Sequence, residues 1–570
     1  MRRRRQTVAA LGVAVAMLAA CSSSGVRVAK SDNHPPDTTT PDTTTPDTSP
    51  DTSPDTSPDT TVDVGPVSID PVEWNDCADY PAPWQCGRID VPLDYRDAAG
   101  EQLSVAMIRL PAAEPSKRIG SLLLNPGGPG GSGIDLAYAE AESYPQSMID
   151  SFDMVGFDPR GVGQSSAVRC VPAFDPGRDS FDDCVDDNRD VLPFLGTVNV
   201  ARDMDAIRQA LGDDQISYLG YSYGTALGAV YADMFPDRVR AMVLDGSVDP
   251  DAGLSNTAEG GSDFYAEQDF DGTIATFEDL CDATSLCPAG PNTEDLLRRV
   301  RKKINGLPTD RFPAGSRLTR SDLDDIVTAA MYSSFLWPVL AVALEDADNG
   351  DASTLAALNS FLLYGYPPDV SAEYDLEFAN IAIRCADFSN RDNGSFECES
   401  FPDSADDLPV ITPIDAAAPI VVVGTRGDPA TPGYYSPLMA DALGDAVAIE
   451  WEGAGHTATL SSRCITDIVA EYLVDVVVPE DGTTCSFVTG VTSLTETADV
   501  VFTEPERATT VRNISDLLVA QGEDETFAVC VAAQLAVRAD RRLVIDELLG
   551  IDSPHLATLL SIIERGCSGG

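Results

Sequence analysis

One short stretch limits the folds open to this 570-residue chain more than any other: Gly220-Tyr221-Ser222-Tyr223-Gly224. The Gly-x-Ser-x-Gly pattern alone is common by chance. Here the apolar run Ile216-Ser217-Tyr218-Leu219 leads directly into it, and the Ala/Gly-rich run Thr225 to Ala232 leads directly out. A strand that turns sharply into a helix lifts the serine hydroxyl clear of a sheet, and small flanking residues relieve the crowding of that turn. The first turn of the helix also favours negative charge developing beside the serine. The plainer alternative, a buried small-residue turn without chemistry, leaves this strand–turn–helix context unexplained.

The same alternation recurs along the chain. Ser121 to Asn125, Asp153 to Phe157, Ala241 to Leu244, Pro419 to Val423 and Ala446 to Trp451 are short apolar runs, with helical patterns over Ala201 to Leu211 and Thr225 to Phe235. Continuously apolar strands alternating with helices predict the α/β class, a doubly wound, mostly parallel sheet. Arg88 to Pro92 and Leu103 to Leu110 read as an antiparallel lead-in. The core is expected in two parts, 67–249 and 408–487, with 250–407 inserted between them as a largely helical cap. Residues 488–570 form a small helical appendage whose role is not legible.

A serine hydroxyl is a weak nucleophile until a base removes its proton. The chain has three histidines: His34, His456 and His555. The first falls in a low-complexity stretch and the last in the appendage. His456 follows an apolar run through Gly453-Ala454-Gly455, where a catalytic base of this fold belongs. Chain order places the orienting acid between serine and histidine. Asp428 fits, after Ile420 to Val423 and Gly424-Thr425-Arg426-Gly427. An aspartate in such a turn is more often a local turn former, but its place in the order Ser, Asp, His favours the catalytic reading.

The glycine loop Asn125-Pro126-Gly127-Gly128-Pro129-Gly130-Gly131-Ser132-Gly133 follows a strand. In a hydrolase it supplies one backbone N–H of an oxyanion site, with Gly128 the first candidate and Gly127 the next, paired with the N–H of Tyr223. A rival reading takes Gly128 to Gly133 as Gly-x-Gly-x-x-Gly and Asp158 as a ribose-binding acid, making the protein a dinucleotide-dependent oxidoreductase. That reading leaves Ser222, Asp428 and His456 unexplained. A third, a catalytically inactive surface-binding lipoprotein, leaves them equally idle. No cofactor and no metal are expected: there is no Cys-x-x-Cys and no His-Glu-x-x-His.

The N-terminus predicts export. Arg2 to Arg5, the apolar run Val8 to Ala20 and then Leu18-Ala19-Ala20-Cys21 read as a signal peptide over 1–20. The last four residues resemble a lipoprotein lipobox, which makes Cys21 the lipid anchor and places the protein at the outer face of the cell membrane. Residues 21–66, mostly Pro-Asp-Thr-Thr and Pro-Asp-Thr-Ser repeats, read as a disordered tether. A net charge of −55 excludes nucleic acid as a partner. Twelve further cysteines fall as sequence neighbours, Cys77/Cys86, Cys170/Cys184, Cys281/Cys287, Cys385/Cys398, Cys464/Cys485 and Cys530/Cys567. In an oxidising compartment an even number argues for disulfides, although sequence does not fix their connectivity.

Several ordered blocks resemble the secreted tripeptidyl aminopeptidases and proline-iminopeptidase-like α/β-hydrolases of actinobacteria. They are Val91 to Tyr95, Asn125 to Gly130, Phe157 to Ser165, Asp203 to Arg208, Gly220 to Thr225, Leu244 to Gly246, Asp428 to Pro432 and Gly455-His456 with Cys464 and Cys485. The resemblance spans about residues 70 to 487. It implies the α/β-hydrolase fold, and release of short peptides from free N-termini through an acyl-enzyme. It further implies cap carboxylates that grip the substrate ammonium, for which Glu267, Asp269 and Glu278 are candidates. Esters are the alternative substrates for the same machinery.

Overall fold

Residues that must be apolar on both sides find that environment at the centre of one sheet. In the computed structural model every position of β4 (Gly120–Asn125), β5 (Phe152–Phe157) and β6 (Ile216–Tyr221) is buried. The structure describes residues 69–170, 181–250, 270–283, 292–307, 318–359, 376–387 and 398–486, apart from single positions at 353, 357, 415 and 417. The expected signal peptide, Cys21, the tether, Glu267, Asp269 and the 488–570 appendage lie outside these residues. So does at least one member of the pairs Cys281/Cys287 and Cys530/Cys567.

The remaining strands are β1 (Asn75–Asp76), β2 (Gln85–Pro92), β3 (Gln102–Leu110), β7 (Val239–Asp245), β8 (Ile420–Gly427), β9 (Ala446–Ala454) and β10 (Thr484–Cys485). Their order across the ten-stranded sheet is β1-β2-β3-β5-β4-β6-β7-β8-β9-β10. Pairing is antiparallel from β1 to β5 and parallel from β5 to β10. The lead-in expected from sequence is therefore the antiparallel edge of an otherwise parallel sheet.

Helices cover both faces. The ones that position the site are α1 (Gly133–Glu140), α2 (Thr197–Leu211), α3 (Tyr223–Met234), α4 (Phe270–Ala283), α5 (Arg320–Met331), α6 (Trp337–Asp348), α7 (Leu376–Asp387) and α8 (Arg463–Asp475). Helices α2 and α3 pack on one face, α1 and α8 on the other. Helix α2 starts four residues before the expected Ala201. Its N-cap, Gly196, has no side chain to mark a start, and the acceptor for the Thr197 N–H comes from Asp387, far away in sequence. Its end was easier to read, because Gly212 closes it in the left-handed conformation (φ 75°).

Between β7 and β8, helices occupy Phe270–Ala283, Thr293–Lys303, Arg320–Met331, Trp337–Asp348 and Leu376–Asp387, whereas the described part of 398–419 is largely irregular. Helices α4, α5 and α6 bury Phe277, Ile326, Leu340 and Leu344 in a cluster of their own, which Ala430 and Ala454 join from the catalytic half. Helix α7 behaves differently: Phe378, Ala382 and Ile383 join the main core beside α2 and α3. Four of the sequence-neighbour cysteine pairs are disulfides, Cys77–Cys86, Cys170–Cys184, Cys385–Cys398 and Cys464–Cys485. No described helix is long and apolar enough to cross a membrane.

A buried ion pair braces the core. Arg160 is fully buried and makes a double contact with Asp203 of α2 (2.7 and 2.5 Å). It also donates to the carbonyls of Pro92, Leu93 and Phe194, while the Tyr95 hydroxyl donates to Asp203 at 2.8 Å. All five guanidinium N–H groups have acceptors and both carboxylate oxygens have donors, which is the condition for tolerating buried charge. It ties the antiparallel edge to α2.

Candidate active site

Ser222 stands between β6 and α3 with φ 57° and ψ −125°, a conformation rarely open to a residue with a side chain. Its surroundings hold it there. The Ser222 N–H donates to the Asp245 carbonyl at 2.9 Å, and the Ser222 carbonyl accepts both the N–H and the hydroxyl of Thr225 (2.8 and 2.6 Å). The Thr225 hydroxyl in turn accepts the Val248 N–H at 3.1 Å. Gly220 has no room for a side chain: a Cβ there would lie 2.5 Å from the Gly224 carbonyl oxygen.

Asp428 and His456 meet at the ends of β8 and β9. The imidazole Nδ1 lies 2.9 Å from both carboxylate oxygens. A carboxylate only accepts, so Nδ1 carries the proton and Nε2 keeps its lone pair. Asp428 also accepts the N–H groups of Ala430 and Thr431 (2.9 Å each) and of Thr457 (3.1 Å). The Thr431 hydroxyl donates to Asp428 at 3.1 Å and lies 3.3 Å from Nδ1. The carboxylate is thereby held in one orientation, almost wholly out of water.

Two further groups place the histidine. Asp245, at the end of β7, accepts the N–H groups of Ala458 (3.0 Å) and Thr459 (2.6 Å), so it anchors the segment just past His456. Burial raises the pKa of this carboxyl, and the Thr459 and Ala458 hydrogen bonds oppose that shift. From the cap, the Tyr332 carbonyl accepts the His456 N–H at 2.7 Å, and Ser333 bridges Gly455 in an antiparallel pair. The Tyr332 ring meets the imidazole edge-on, with centroids 5.4 Å apart. Neither role can be read from the sequence: Asp245 lies in the family-like block Leu244 to Gly246, but nothing there separates its task from that of any other among the chain's 92 acidic residues, and a backbone carbonyl carries no mark at all.

The serine turn and the imidazole both flank the Asp245–Gly246 peptide. Asp245 takes the Ser222 N–H, and a Cβ on Gly246 would stand 3.4 Å from His456 Cε1. Among the described residues no hydrogen bond joins Ser222 Oγ to His456. Resting hydrolases often form that bond fully only around substrate.

The glycine loop lies against the serine turn. Gly127 (φ 88°) is so close that a Cβ would fall 2.3 Å from the Tyr221 carbonyl oxygen and 2.9 Å from both Ser222 Cβ and the Tyr223 nitrogen. Its N–H is already given to Asn125 Oδ1 at 2.9 Å, so Gly127 is not a spare oxyanion donor. Gly128 follows at φ 112°. Helix α7 seals the loop from above: Asn380 donates to the Pro129 carbonyl at 2.9 Å.

Asp158, the ribose-binding acid of the rival reading, is committed elsewhere. It is buried and accepts the Ser132 hydroxyl (2.5 Å), the Gln164 N–H (2.7 Å) and the Ile134 N–H (3.3 Å). Burial raises its pKa to about 6 despite those donors. It ties the start of α1 to the loop after β5 and is buried away from any ribose. Of the cap carboxylates, Glu278 is half-buried on α4, about 12 Å along the helix axis from Phe270, whose ring packs against Tyr332.

Comparison with known proteins agrees with this architecture. Residues 120–461 match the alpha/beta hydrolase fold family. The chain is 32% identical over 483 residues to serine protease Hip1 of Mycobacterium tuberculosis, covering 73% of this chain and 91% of that one. It is 29% identical over 461 residues to a tripeptidyl aminopeptidase of Streptomyces lividans, covering 70% and 84%. Carboxylesterase B of M. tuberculosis is 32% identical over 490 residues, covering 74% and 91%.

Proposed function

The chain belongs to the α/β-hydrolase family, and on that premise we propose that it is an exported serine aminopeptidase that releases short peptides from free N-termini. That it is a serine hydrolase of the peptidase or esterase kind rests on the family and on relatives named serine protease, tripeptidyl aminopeptidase and carboxylesterase. The observation that carries the assignment of roles is the contact of His456 Nδ1 with Asp428, which leaves Nε2 as the base.

In this reading Nε2 of His456 takes the proton of Ser222 as Oγ attacks the scissile carbonyl. The oxyanion forms against the N–H groups of Tyr223 and Gly128, beside the N-terminus of α3. The imidazolium then protonates the leaving amine, the C–N bond breaks, and an acyl-serine remains. Water, deprotonated by the same nitrogen, releases the peptide acid and restores the serine. Asp428 stays ionised throughout and stabilises the imidazolium.

Preference for peptides over esters is supported by the two peptidase relatives; the carboxylesterase relative, equally similar, supports esters. Parallel kinetics on free-amine peptides, N-blocked peptides and short esters decide between them. Rates on blocked peptides equal to those on free ones would remove the aminopeptidase proposal. Export is supported by the signal-like N-terminus with Cys21 and by four disulfides, which persist outside reducing compartments. Cys21→Ala is expected to move the protein from the membrane fraction to the medium or to leave it unprocessed; unchanged membrane retention with normal processing would refute the anchor.

A further inference from the structure

Asp387 ends α7 in the cap, and none of the steps above uses it. Its carboxylate is buried at the N-terminus of α2. One oxygen accepts the Thr197 N–H at 2.5 Å and the other accepts the Thr197 hydroxyl at 2.6 Å. The Thr197 oxygen also contacts the Tyr223 hydroxyl. A hydroxyl owns one proton. Since that of Thr197 goes to the carboxylate, its oxygen is the acceptor for the phenol, and the chain of donation runs Tyr223 to Thr197 to Asp387. All three side chains are buried, where such linked bonds reinforce one another.

Tyr223 is the first residue of α3 and directly follows Ser222. Its phenol reaches away from the serine to Thr197, so the residue is gripped at its backbone by the helix and at its tip by this relay. Helix α7, which carries Asp387, also holds the glycine loop through Asn380 and Pro129. One cap helix therefore touches the supports of both expected oxyanion donors.

We propose that Asp387 is a positioning residue for the oxyanion site, acting through Thr197 and Tyr223 so that the N–H beside Ser222 is aligned only while α7 is docked. This rests on the serine-hydrolase reading above. Burial raises the Asp387 carboxyl to about 7, so assays at pH 8.5 keep it ionised.

The test uses the full-length protein, with active sites counted by a fluorophosphonate label and turnover read on the best free-amine peptide substrate. Thr197→Val keeps the shape and removes the hydroxyl; Asp387→Asn and Tyr223→Phe interrupt the relay at its two ends. Each is expected to lower kcat per labelled site about tenfold, the worth of a buried hydrogen bond expressed only in the transition state, with KM within about twofold. Thr197→Ser, which keeps the hydroxyl, is expected to recover most of that loss. Because the three act in series, Thr197→Val with Tyr223→Phe should cost no more than either alone. If Asp387→Asn fails to fold, Tyr223→Phe, which lacks a single oxygen, carries the same comparison. Lower thermal stability with kcat per site unchanged would overturn the proposal and leave the hydrolase assignment standing. Failure of the wild type to take the label at Ser222 would remove both.

Discussion

Ser222, though buried, sits on a strained backbone that only its neighbours can hold, and the consequences are measurable one residue at a time. Gly127 is the tightest of those neighbours. Gly127→Ala would drive a methyl into the Tyr221 carbonyl from a backbone with φ 88°, so loss of activity together with a lower melting temperature is expected. Asp428→Asn keeps the size of the side chain but presents a donor to Nδ1. Turnover should fall by about 10³–10⁴ with modest change in KM, whereas a purely structural Asp428 would show a stability loss instead. Ser222, His456 and Asp428 can be singled out in the sequence for a physical reason: histidine is scarce here, and each of the three follows an apolar strand. Thr431, whose hydroxyl bridges Asp428 and His456, cannot, because a threonine in a turn has many uses.

At the scale of elements, the histidine loop is held from two sides by groups distant in sequence, Asp245 on β7 and Tyr332 beyond α5. Asp245→Asn would set an NH₂ against backbone N–H donors at Ala458 and Thr459. A loss of about 2 kcal/mol is expected, with turnover falling further than unfolding alone explains; denaturant melts beside kinetics on labelled sites separate the two. The central strands are legible because burial on both faces leaves unbroken apolar runs such as Leu122 to Leu124. The two-residue strands β1 and β10 leave no periodic trace. The true start of α2 was hidden because its cap lies 190 residues away, on α7.

Across the whole molecule, buried charge sets both strength and pH response. Arg160→Met would strand Asp203 among apolar atoms and is expected to cost about 3–5 kcal/mol, read as a drop in denaturant midpoint. Glu140 at the end of α1 is only half-buried by its surface, yet packing around its carboxyl raises it to about 7 with no opposing hydrogen bond. The folded protein therefore holds that proton more tightly than the unfolded chain, so its contribution is most favourable below the unfolded carboxyl pKa and is lost as pH rises toward 7. Glu140→Gln should leave stability unchanged at pH 4 and raise it by about 1 kcal/mol at pH 8; equal melting temperatures for the two proteins at pH 8 would contradict this.

The bridge between Ser333 and Gly455 sets a lower limit on what can be cut away. Because the main chain beside the base is stitched to the insertion, deleting 320–348 would not uncover a simpler hydrolase. It would leave the His456 main-chain N–H without its carbonyl acceptor and the imidazole without its aromatic wall. Any minimal version of this protein must keep that crossing.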